Sequence, residues 1–359
     1  MRSLTEDRAA RADQTSAEST IFPLLEIKVS IIVPVFNSGC CVGRCFDSIS
    51  AQTYRSLECI FVDDASSDDS LAILRDRIER YEGPCEFQVL RHETNKGVSA
   101  ARNTGTWAAT GGYLYYLDSD DAISDRAIER LIDSALKYDG VDIVQGNTEV
   151  MPDTAQEVDG EFWSITGKGF PEFSNDKKWI KTRFLVEPRV PVDVWNKLLR
   201  REFVIGNKLY FREGVIHEDQ LWAFHAAKCV SSIAFVTEIC YRHYIVPGSI
   251  MQSGDAKRSL VSWLAILEEM SENEDDVCRA AQRALILRKL KASMRRLNRE
   301  VFCKALLGQY RRLIKRNLLT SIRQRDPQTV LFYCIYLLPP AIFRNALLRK
   351  ISRRLMNAV

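Results

Sequence analysis

The chain has 359 residues, of which 46% are hydrophobic and 27% charged, and its formal net charge is +3 at pH 7. That length favours about two domains, and the apolar fraction excludes global disorder, a collagen-like repeat and a polytopic membrane protein. Ten cysteines are too few for a disulfide-stabilised scaffold. Residues 1–20 are polar and charged, without the apolar stretch of a signal peptide, so we expect a cytoplasmic protein.

The hydrophobic pattern predicts alternating strands and helices from residue 29 onwards. Strands are predicted at residues 29–36, 57–62, 87–90, 113–117 and 141–144. Helices are predicted at residues 39–52, 67–81, 98–109 and 127–137. This alternation predicts an α/β fold with a mainly parallel sheet covered by helices on both faces. Ligands of such sheets bind beyond the carboxyl ends of the strands.

The remainder of the chain divides by composition. Residues 151–190 contain scattered Gly and Pro and are expected to form loops, whereas residues 192–203 and 230–244 are expected to add strands. The sequence from residue 257 onwards is helical in pattern. We therefore predict three parts: a disordered leader over 1–25, an α/β domain over 26–250 and a basic helical region over 251–359.

Chemically suggestive residues follow the first two predicted strands. Pro34, Phe36 and Asn37 end the first, and the Phe36 ring could stack on a nucleobase or belong to the core. Asp63 and Asp64 follow the second and could accept hydrogen bonds from a base or a ribose. Helix capping explains the serines that come next, but it does not explain these two carboxylates.

Charged residues follow the third and fourth strands. A glycine turn leads into a helix near Lys96 and Arg102, which suits a phosphate or a base edge, although such turns are common. Asp118, Asp120 and Asp121 then lie within four residues, where they would repel one another unless a cation lay among them. Oxygen ligands favour Mg²⁺ or Mn²⁺, and the alternative is a solvated acidic turn.

A second acidic pair, Glu218 and Asp219, stands in the motif V-I-H-E-D-Q-L-W. A carboxylate in this apolar context could act as a general base toward a hydroxyl group. Sequence spacing alone does not bring the pair close to Asp120.

Together these motifs resemble the family 2 glycosyltransferases, which are inverting enzymes of the GT-A fold. The resemblance covers roughly residues 28–250 and rests on V-S-I-I-V-P-V-F-N, F-V-D-D-A-S-S-D, N-K-G-V-S-A-A-R-N-T-G, Y-L-D-S-D-D and H-E-D-Q-L-W. The segments W-N-K-L-L-R and Y-R-H-Y…G-S-I also look like those of bacterial polysaccharide-building members. The resemblance implies a hexosyl- or N-acetylhexosaminyltransferase whose donor is a nucleotide-sugar, with uridine favoured as the nucleoside.

The resemblance also implies roles on the donor side. Phe36 would stack on uracil, Asp64 would hydrogen-bond the uracil ring with Asp63 nearby, and Arg102 would contact the base or the diphosphate. The other residues expected to line the donor site are Pro34, Asn37, Lys96, Asp118, Ser119 and Lys197, the last reaching the diphosphate or the acceptor.

For metal and catalysis, the resemblance implies that Asp118 and Asp120 form a D-x-D element holding the ribose and Mn²⁺ or Mg²⁺. His243 would be an extra metal or phosphate contact. Asp219 would take a proton from the acceptor hydroxyl, supported by Glu218. The oxygen would then displace the nucleoside diphosphate in one step, which inverts the anomeric carbon without a covalent nucleophile.

The basic end of the chain predicts an anionic partner. Residues 279–359 carry a net charge of +18 and the rest of the chain −15. The apolar segment 330–343 is shorter than the roughly 20 residues that span a bilayer, and its aromatic content suits interfacial insertion. We expect peripheral contact with the cytoplasmic face of the inner membrane and a glycan or lipid-linked acceptor. The alternative is a helical subdomain that packs on the catalytic domain.

Two other functions stay open at this stage. A sugar nucleotidyltransferase would carry a glycine-rich, basic loop after the first strand, but N-S-G-C-C stands there. A non-catalytic nucleotide or nucleic-acid binder would be expected to have lost Asp120 or Asp219. Residues 278–325 hold few aromatic residues among the basic ones, so no nucleic acid is expected as a partner. The sugar, the acceptor and the linkage are not specified by these motifs.

Overall fold

The structure, a computed structural model, describes most of the chain between residues 27 and 337. The described ranges are 27–152, 169–185, 190–245, 255–274, 279–297, 303–323 and 327–337. The predicted leader over residues 1–25 and the G-S-I motif at 248–250 lie outside them. The predicted domain boundary at residue 250 also lies outside them, and it stays a prediction.

Four parallel strands form the first half of a central sheet, and three helices connect them. The strands are β1 (Val29–Val35), β2 (Leu57–Asp63), β3 (Glu86–Arg91) and β4 (Tyr113–Tyr116). The helices are α1 (Val42–Ser50), α2 (Ser70–Glu79) and α3 (Val98–Ala108). The order across the sheet is β3-β2-β1-β4, so the carboxyl ends of these strands share one edge.

The second half of the sheet is mixed. Its strands are β5 (Ala122–Ile123), β6 (Ile143–Pro152), β7 (Phe173–Ser174), β8 (Lys197–Arg200) and β9 (Ile233–Ile245). Strand β8 runs antiparallel to both β4 and β6, whereas β6 and β9 are parallel. The intervening helices are α4 (Ala127–Lys137), α5 (Lys177–Leu185), α6 (Arg201–Gly206) and α7 (Glu218–Cys229). The predicted α/β class is confirmed, but β8 makes the sheet less parallel than predicted.

Helix α5 forms where loops were expected, within residues 151–190. Ile180 and Phe184 lie one helical turn apart, and both are buried in the core beside α7. Apolar residues at this spacing are typical of a helix with one buried face. The expectation of loops was wrong because the surrounding Gly and Pro residues outweighed this short pattern.

The sheet separates two hydrophobic cores, because alternate residues of a strand point to opposite faces. Ile31 of β1 belongs to the core beneath α1 and α4, and Ile32 belongs to the core beneath α3 and α7. In the first core the rings of Phe46, Phe61 and Phe87 stack, with centroids 4.7 to 6.3 Å apart. Both faces of the sheet are therefore covered, which fixes the strand ends that carry the candidate site.

The described part of the C-terminal region forms four helices, as its pattern predicts. They are α8 (Ala256–Glu272), α9 (Arg279–Arg296), α10 (Lys304–Arg323) and α11 (Pro327–Leu337). Leu260, Leu290 and Leu313 are buried in the same core as Trp222 of α7, and the Tyr310 hydroxyl donates to the Leu260 carbonyl at 2.7 Å. Helices α8 to α10 thus pack on the α/β core. Among the described helices, none combines the length and the apolarity that crossing a bilayer requires.

Truncating a buried leucine of α10 tests this packing. Leu313 is 2% exposed and Leu319 of the same helix is 60% exposed. We expect Leu313→Ala to lower the free energy of unfolding by about 2–5 kcal/mol, because it removes core contacts and leaves a cavity. The matched change Leu319→Ala should cost less than about 0.5 kcal/mol. Urea denaturation followed by tryptophan fluorescence measures both, and equal effects would contradict the packing.

Candidate active site

A buried arginine joins the end of β4 to the start of α7. Arg102 of α3 donates from Nη2 to Asp118 Oδ1 at 2.8 Å and from Nη1 to Glu218 Oε1 at 2.7 Å. Burial alone would lower the pKa of the Arg102 guanidinium, but these two carboxylates raise it above its ordinary value. The side chain is therefore charged, and both Nη groups are engaged within the protein, whereas the buried Nε meets no acceptor among the described residues. This differs from the expected contact with a base or diphosphate, because both Nη groups already have partners.

Three carboxylates meet directly after β4. Asp118, Asp120 and Asp121 each offer one carboxylate oxygen, and these oxygens lie within 4.8 Å of one another. Burial, together with the neighbouring Asp121 and Asp118, raises the pKa of Asp120 to about 7. Such a pKa means that the cluster needs a compensating positive charge if all three groups are to ionise.

Asp121, the third carboxylate of the cluster, is held in place by hydrogen bonds. It is fully buried, and its oxygens accept hydrogen bonds from the Tyr241 hydroxyl and the Tyr244 N–H, both at 2.7 Å. Arg102 occupies only one oxygen of Asp118. The other Asp118 oxygen and the Asp120 carboxylate therefore fit a hard cation such as Mn²⁺ or Mg²⁺.

His243 lies beside this cluster. Its Nδ1 lies 3.0 Å from Asp121 Oδ2, and its ring stacks on Trp195 with centroids 5.6 Å apart. Burial acts to lower the pKa of His243, but the hydrogen bond to Asp121 and the nearby carboxylates raise it above its ordinary value. A histidine whose Nδ1 bonds a carboxylate still has Nε2 available to a metal ion, so the contact of His243 with a metal or a phosphate stays a prediction.

An exposed aromatic ring stands at the end of β1. Phe36 is 45% exposed, so it does not belong to the core. Next to it, Asn37 adopts a left-handed backbone (φ +49°), and its Oδ1 accepts from the Ser67 N–H at 2.9 Å. The Ser119 hydroxyl lies 2.7 Å from that of Ser38. Asn37 and Ser119 thus fix the loops around the ring, whereas Pro34 is buried within β1.

Asp63 and Asp64 lie at the end of β2, as predicted, and both are buried. Asp64 accepts from the Lys96 N–H at 2.8 Å and the Gly97 N–H at 2.7 Å, and it also contacts His92 Nδ1 at 2.7 Å. These bonds hold the turn that begins α3, where Gly97 has φ +91°. The Asp64 oxygens therefore face the protein in this structure, while the Lys96 side chain is exposed. Sequence reasoning missed His92.

Asp63 is also held within the protein. Its carboxylate accepts from the Ser66 N–H at 3.1 Å and forms an ion pair with Arg91 Nε at 3.1 Å. The acidic pair thus fixes two loops at the strand ends around the exposed Phe36 ring.

Asp219 lies in the first turn of α7, where the helix dipole favours a carboxylate. Its Oδ1 accepts from the Gln220 N–H at 2.8 Å, and the side chain is partly exposed. The preceding His217 has a left-handed backbone (φ +70°) and lies 2.9 Å through Nε2 from the Ser259 hydroxyl of α8. The Arg102 bridge to Glu218 therefore brings Asp219 into the neighbourhood of the Asp118 cluster.

Lys197 and Asp193 lie behind Asp219. Lys197 is fully buried, and its Nζ donates to the Asp193 carbonyl at 2.5 Å. Burial and the adjacent Asp219, which lies within hydrogen-bonding reach, raise the pKa of Asp193 to about 7. Burial lowers the pKa of Lys197 to about 8. Lys197 thus faces the two carboxylates and not the diphosphate as expected, and Asp193 is a residue that sequence reasoning missed.

The C-terminal helices form one wall beside Asp219. Trp263 of α8 stacks on the His217 ring with centroids 5.1 Å apart, and Lys289 Nζ of α9 lies 4.8 Å from the centre of the Trp263 ring. Asp219 also interacts electrostatically with Lys289. The candidate site therefore combines strand ends of the α/β core with side chains of the basic helical region.

Solved structures with the same fold hold nucleotide-sugars. Residues 1–349 of TarS from S. aureus, in complex with UDP-GlcNAc, superpose with a TM-score of 0.59 at 20% identity over 87% of this chain and 90% of that one. The mannosyltransferase PcManGT from Pyrobaculum calidifontis, in complex with GDP-Man and Mn²⁺, has a TM-score of 0.53 at 14% identity over 94% and 86%. At these identities the likeness establishes the fold alone.

Sequence comparisons establish the family. The family model described as Glycosyl transferase family 2 matches residues 30–189. The glycosyltransferase EpsH of Bacillus subtilis (strain 168) is 32% identical over 244 residues, which cover 67% of each chain. This chain belongs to the family 2 glycosyltransferases.

Proposed function

We propose that the protein transfers a sugar from a UDP-sugar to a hydroxyl of a glycan or lipid-linked acceptor in cell-surface polysaccharide biosynthesis, with inversion at the anomeric carbon. The observation that carries the proposal is the Arg102 bridge, which ties Asp118 at a strand end to Glu218, the residue before Asp219. The same buried arginine thus holds together the donor-side carboxylate cluster and the helix turn that carries the candidate base. Neither a nucleotidyltransferase nor a non-catalytic binder gains support from this arrangement.

The donor half of the site supports nucleotide binding. The exposed Phe36 ring offers a stacking surface for uracil beside the loops that Asp63 and Asp64 hold. The Lys96 ammonium is exposed near the start of α3, where it suits a diphosphate. Asp118 would hold the ribose and Asp120 a divalent cation.

The cation would supply charge neutralisation for the departing nucleoside diphosphate. The chain's own contribution there is to orient carboxylates, because Arg102 holds Asp118 and hydrogen bonds from Tyr241 and Tyr244 hold Asp121. His243 lies beside the same cluster, where it would be the extra contact to the cation or to a diphosphate oxygen.

The acceptor half depends on Asp219. Its partly exposed carboxylate would remove the proton from the acceptor hydroxyl as that oxygen attacks the anomeric carbon. Glu218 is held by Arg102, so it supports the helix turn and does not compete as the base. A single displacement inverts the anomeric centre.

Membrane contact is supported by exposed apolar residues of α10 and α11. Leu319, Ile322 and Leu331 are exposed, and Lys315 and Arg323 lie one helical turn on either side of Leu319. Apolar residues among cations suit the interface of an anionic membrane. We propose peripheral contact at the cytoplasmic face of the inner membrane. The apolar segment that motivated this expectation, 330–343, lies outside the described residues from 338 onwards.

Asp120→Ala tests the cation site. We expect the change to abolish Mn²⁺-dependent binding of UDP and all sugar transfer, because the carboxylate proposed to hold the cation is lost. Isothermal titration calorimetry with UDP, with and without MnCl₂, measures the binding. The exposed Asp125 gives a matched control, and Asp125→Ala should bind as the wild type does. Mn²⁺-dependent UDP binding that survives in Asp120→Ala would remove Asp120 from the site.

Asp219→Asn tests the base. We expect kcat to fall by about 10²–10⁴-fold while the dissociation constant of UDP stays within about twofold, because a base acts in the transition state. UDP release from a panel of UDP-sugars, with Mn²⁺ present, gives kcat and also tests the donor class. An unchanged kcat would exclude Asp219 as the base, and no release from any sugar nucleotide by the wild type would contradict the proposed function.

Vesicle sedimentation tests the membrane surface. We expect the wild type to sediment with vesicles of phosphatidylglycerol and phosphatidylethanolamine, less so at 0.5 M than at 0.05 M salt, because salt screens the cations. The triple change Leu319→Glu, Ile322→Glu and Leu331→Glu should remove most binding at either salt concentration. Val261 of α8 is similarly exposed, and Val261→Glu is the control. Wild-type protein that stays in the supernatant at low salt would contradict the contact.

A further inference from the structure

The proposed base and two other ionisable side chains meet from three separate parts of the chain. Asp193 precedes β8, Lys197 lies in β8 and Asp219 lies in the first turn of α7. We propose that Asp193 is a positioning residue for Asp219: its protonated carboxyl donates a hydrogen bond to the Asp219 carboxylate, and Lys197 balances the remaining charge. The inference rests on the proposed function, since it takes Asp219 as the base.

The hydrogen bonding of Asp193 supports a proton between the Asp193 and Asp219 carboxyl groups. Asp193 Oδ2 is buried, and it meets no N–H or O–H donor among the described residues. The Asp193 side chain interacts with the Asp219 carboxyl through a hydrogen bond. Two carboxylates are both acceptors, so they form a hydrogen bond only when one of them carries a proton.

The charges of Asp193, Asp219 and Lys197 also indicate one proton on the carboxyl pair. Lys197 is fully buried, and its ammonium is directed to the Asp193 carbonyl. Two carboxylates and one ammonium would leave a net negative charge beside the buried Lys197 and the buried Asp193 Oδ2, which is costly. One proton on the carboxyl pair makes the cluster neutral. Burial and Asp219 raise the pKa of Asp193 to about 7, which is consistent with that proton.

The remaining charged groups near Asp219 come from other elements. They are Arg102 of α3, His217 and Glu218 at the start of α7, and Lys289 of α9. Arg102 forms ion pairs with Asp118 and Glu218, and these three groups together carry one negative charge. Compared with all these groups, Asp193 is the one whose protonation changes the hydrogen bonding of the base directly.

The hydrogen bond from Asp193 would orient the Asp219 carboxylate for proton abstraction. The Gln220 N–H holds Asp219 Oδ1 at 2.8 Å, and a second hydrogen bond from Asp193 fixes the plane of the carboxylate. The remaining lone pairs then point in a set direction, toward the partly exposed side where an acceptor hydroxyl would lie. Proton abstraction depends strongly on such alignment.

Two substitutions separate positioning from a structural role. Asp193→Ala removes the hydrogen bond, and we expect kcat to fall about 10–100-fold with the donor KM within twofold. Asp193→Asn keeps an N–H donor at every pH, and we expect it to retain most of the kcat near pH 6.5. Both are measured as UDP release by the full-length enzyme with Mn²⁺, from pH 5.5 to 9.

The pH profile provides the decisive measurement. In the wild type, kcat should decline as Asp193 ionises above about pH 7, because the ionised group no longer donates to Asp219. In Asp193→Asn this decline should be absent. An Asp193→Ala enzyme with wild-type kcat, equal losses in the Ala and Asn variants, or an unchanged alkaline decline in Asp193→Asn would each overturn the inference.

Two controls distinguish loss of positioning from misfolding and from an unspecific effect of removing a carboxylate. The melting temperature of each variant reports on folding, and the Asn variant retains the shape of the native side chain. The exposed Asp125→Asn should leave kcat and its pH profile unchanged. If the wild type releases UDP and Asp219→Asn does not, while the Asp193 variants show no effect, the inference fails and the proposed function stands.

Discussion

The candidate site depends on one buried guanidinium. Arg102 has no other strong partners than Asp118 and Glu218 among the described residues, and these lie 16 and 116 positions away along the chain. A buried ion pair adds little stability by itself, but removing one partner of it typically costs about 3–5 kcal/mol because the other charge is left buried. The three groups therefore fix one another, and they hold the end of β4 against the start of α7.

Charge compensation explains the surrounding groups as well. Arg102 and its two carboxylates leave one excess negative charge, which adds to those of Asp120 and Asp121 on the donor side. We propose that a divalent cation compensates this excess negative charge. On the acceptor side, Lys197 faces Asp193 and Asp219. The site is thus two acidic clusters joined by Arg102, and each cluster requires its own cation or proton.

The parallel strand ends could be predicted from the sequence because they depend on local patterns. A short apolar run followed by polar residues predicts both the strand and its carboxyl edge, which is why Phe36, Asp63 and Asp118 were found at their strand ends. The contacts of the Arg102 and Lys197 side chains could not be predicted from local patterns. Each depends on which distant side chain meets it once the helices pack, and neither spacing nor residue type carries that information.

The same limit applies to the basic helices. Their charge count predicts an anionic partner, but it does not reveal that Leu290 and Leu313 fill the core beside α7. Arginines there pair with acids at or just after the end of α8, such as Arg316 with Glu272 and Arg283 with Glu274. Part of the +18 charge is therefore internal to the fold, and a smaller surface than the count suggests is left to meet a membrane.

The residues proposed to act on the donor and on the acceptor lie in different parts of the chain. Most residues proposed to hold the nucleotide lie between Pro34 and Asp120, within the 30–189 segment that matches the family model. Asp193, Lys197 and Asp219 lie beyond that segment. Trp263 of α8 stacks on His217, and Lys289 of α9 interacts with both Trp263 and Asp219. On the proposal that Asp219 is the base, helices α8 and α9 border the space that an acceptor hydroxyl would enter, so we expect their side chains to influence which acceptor is used.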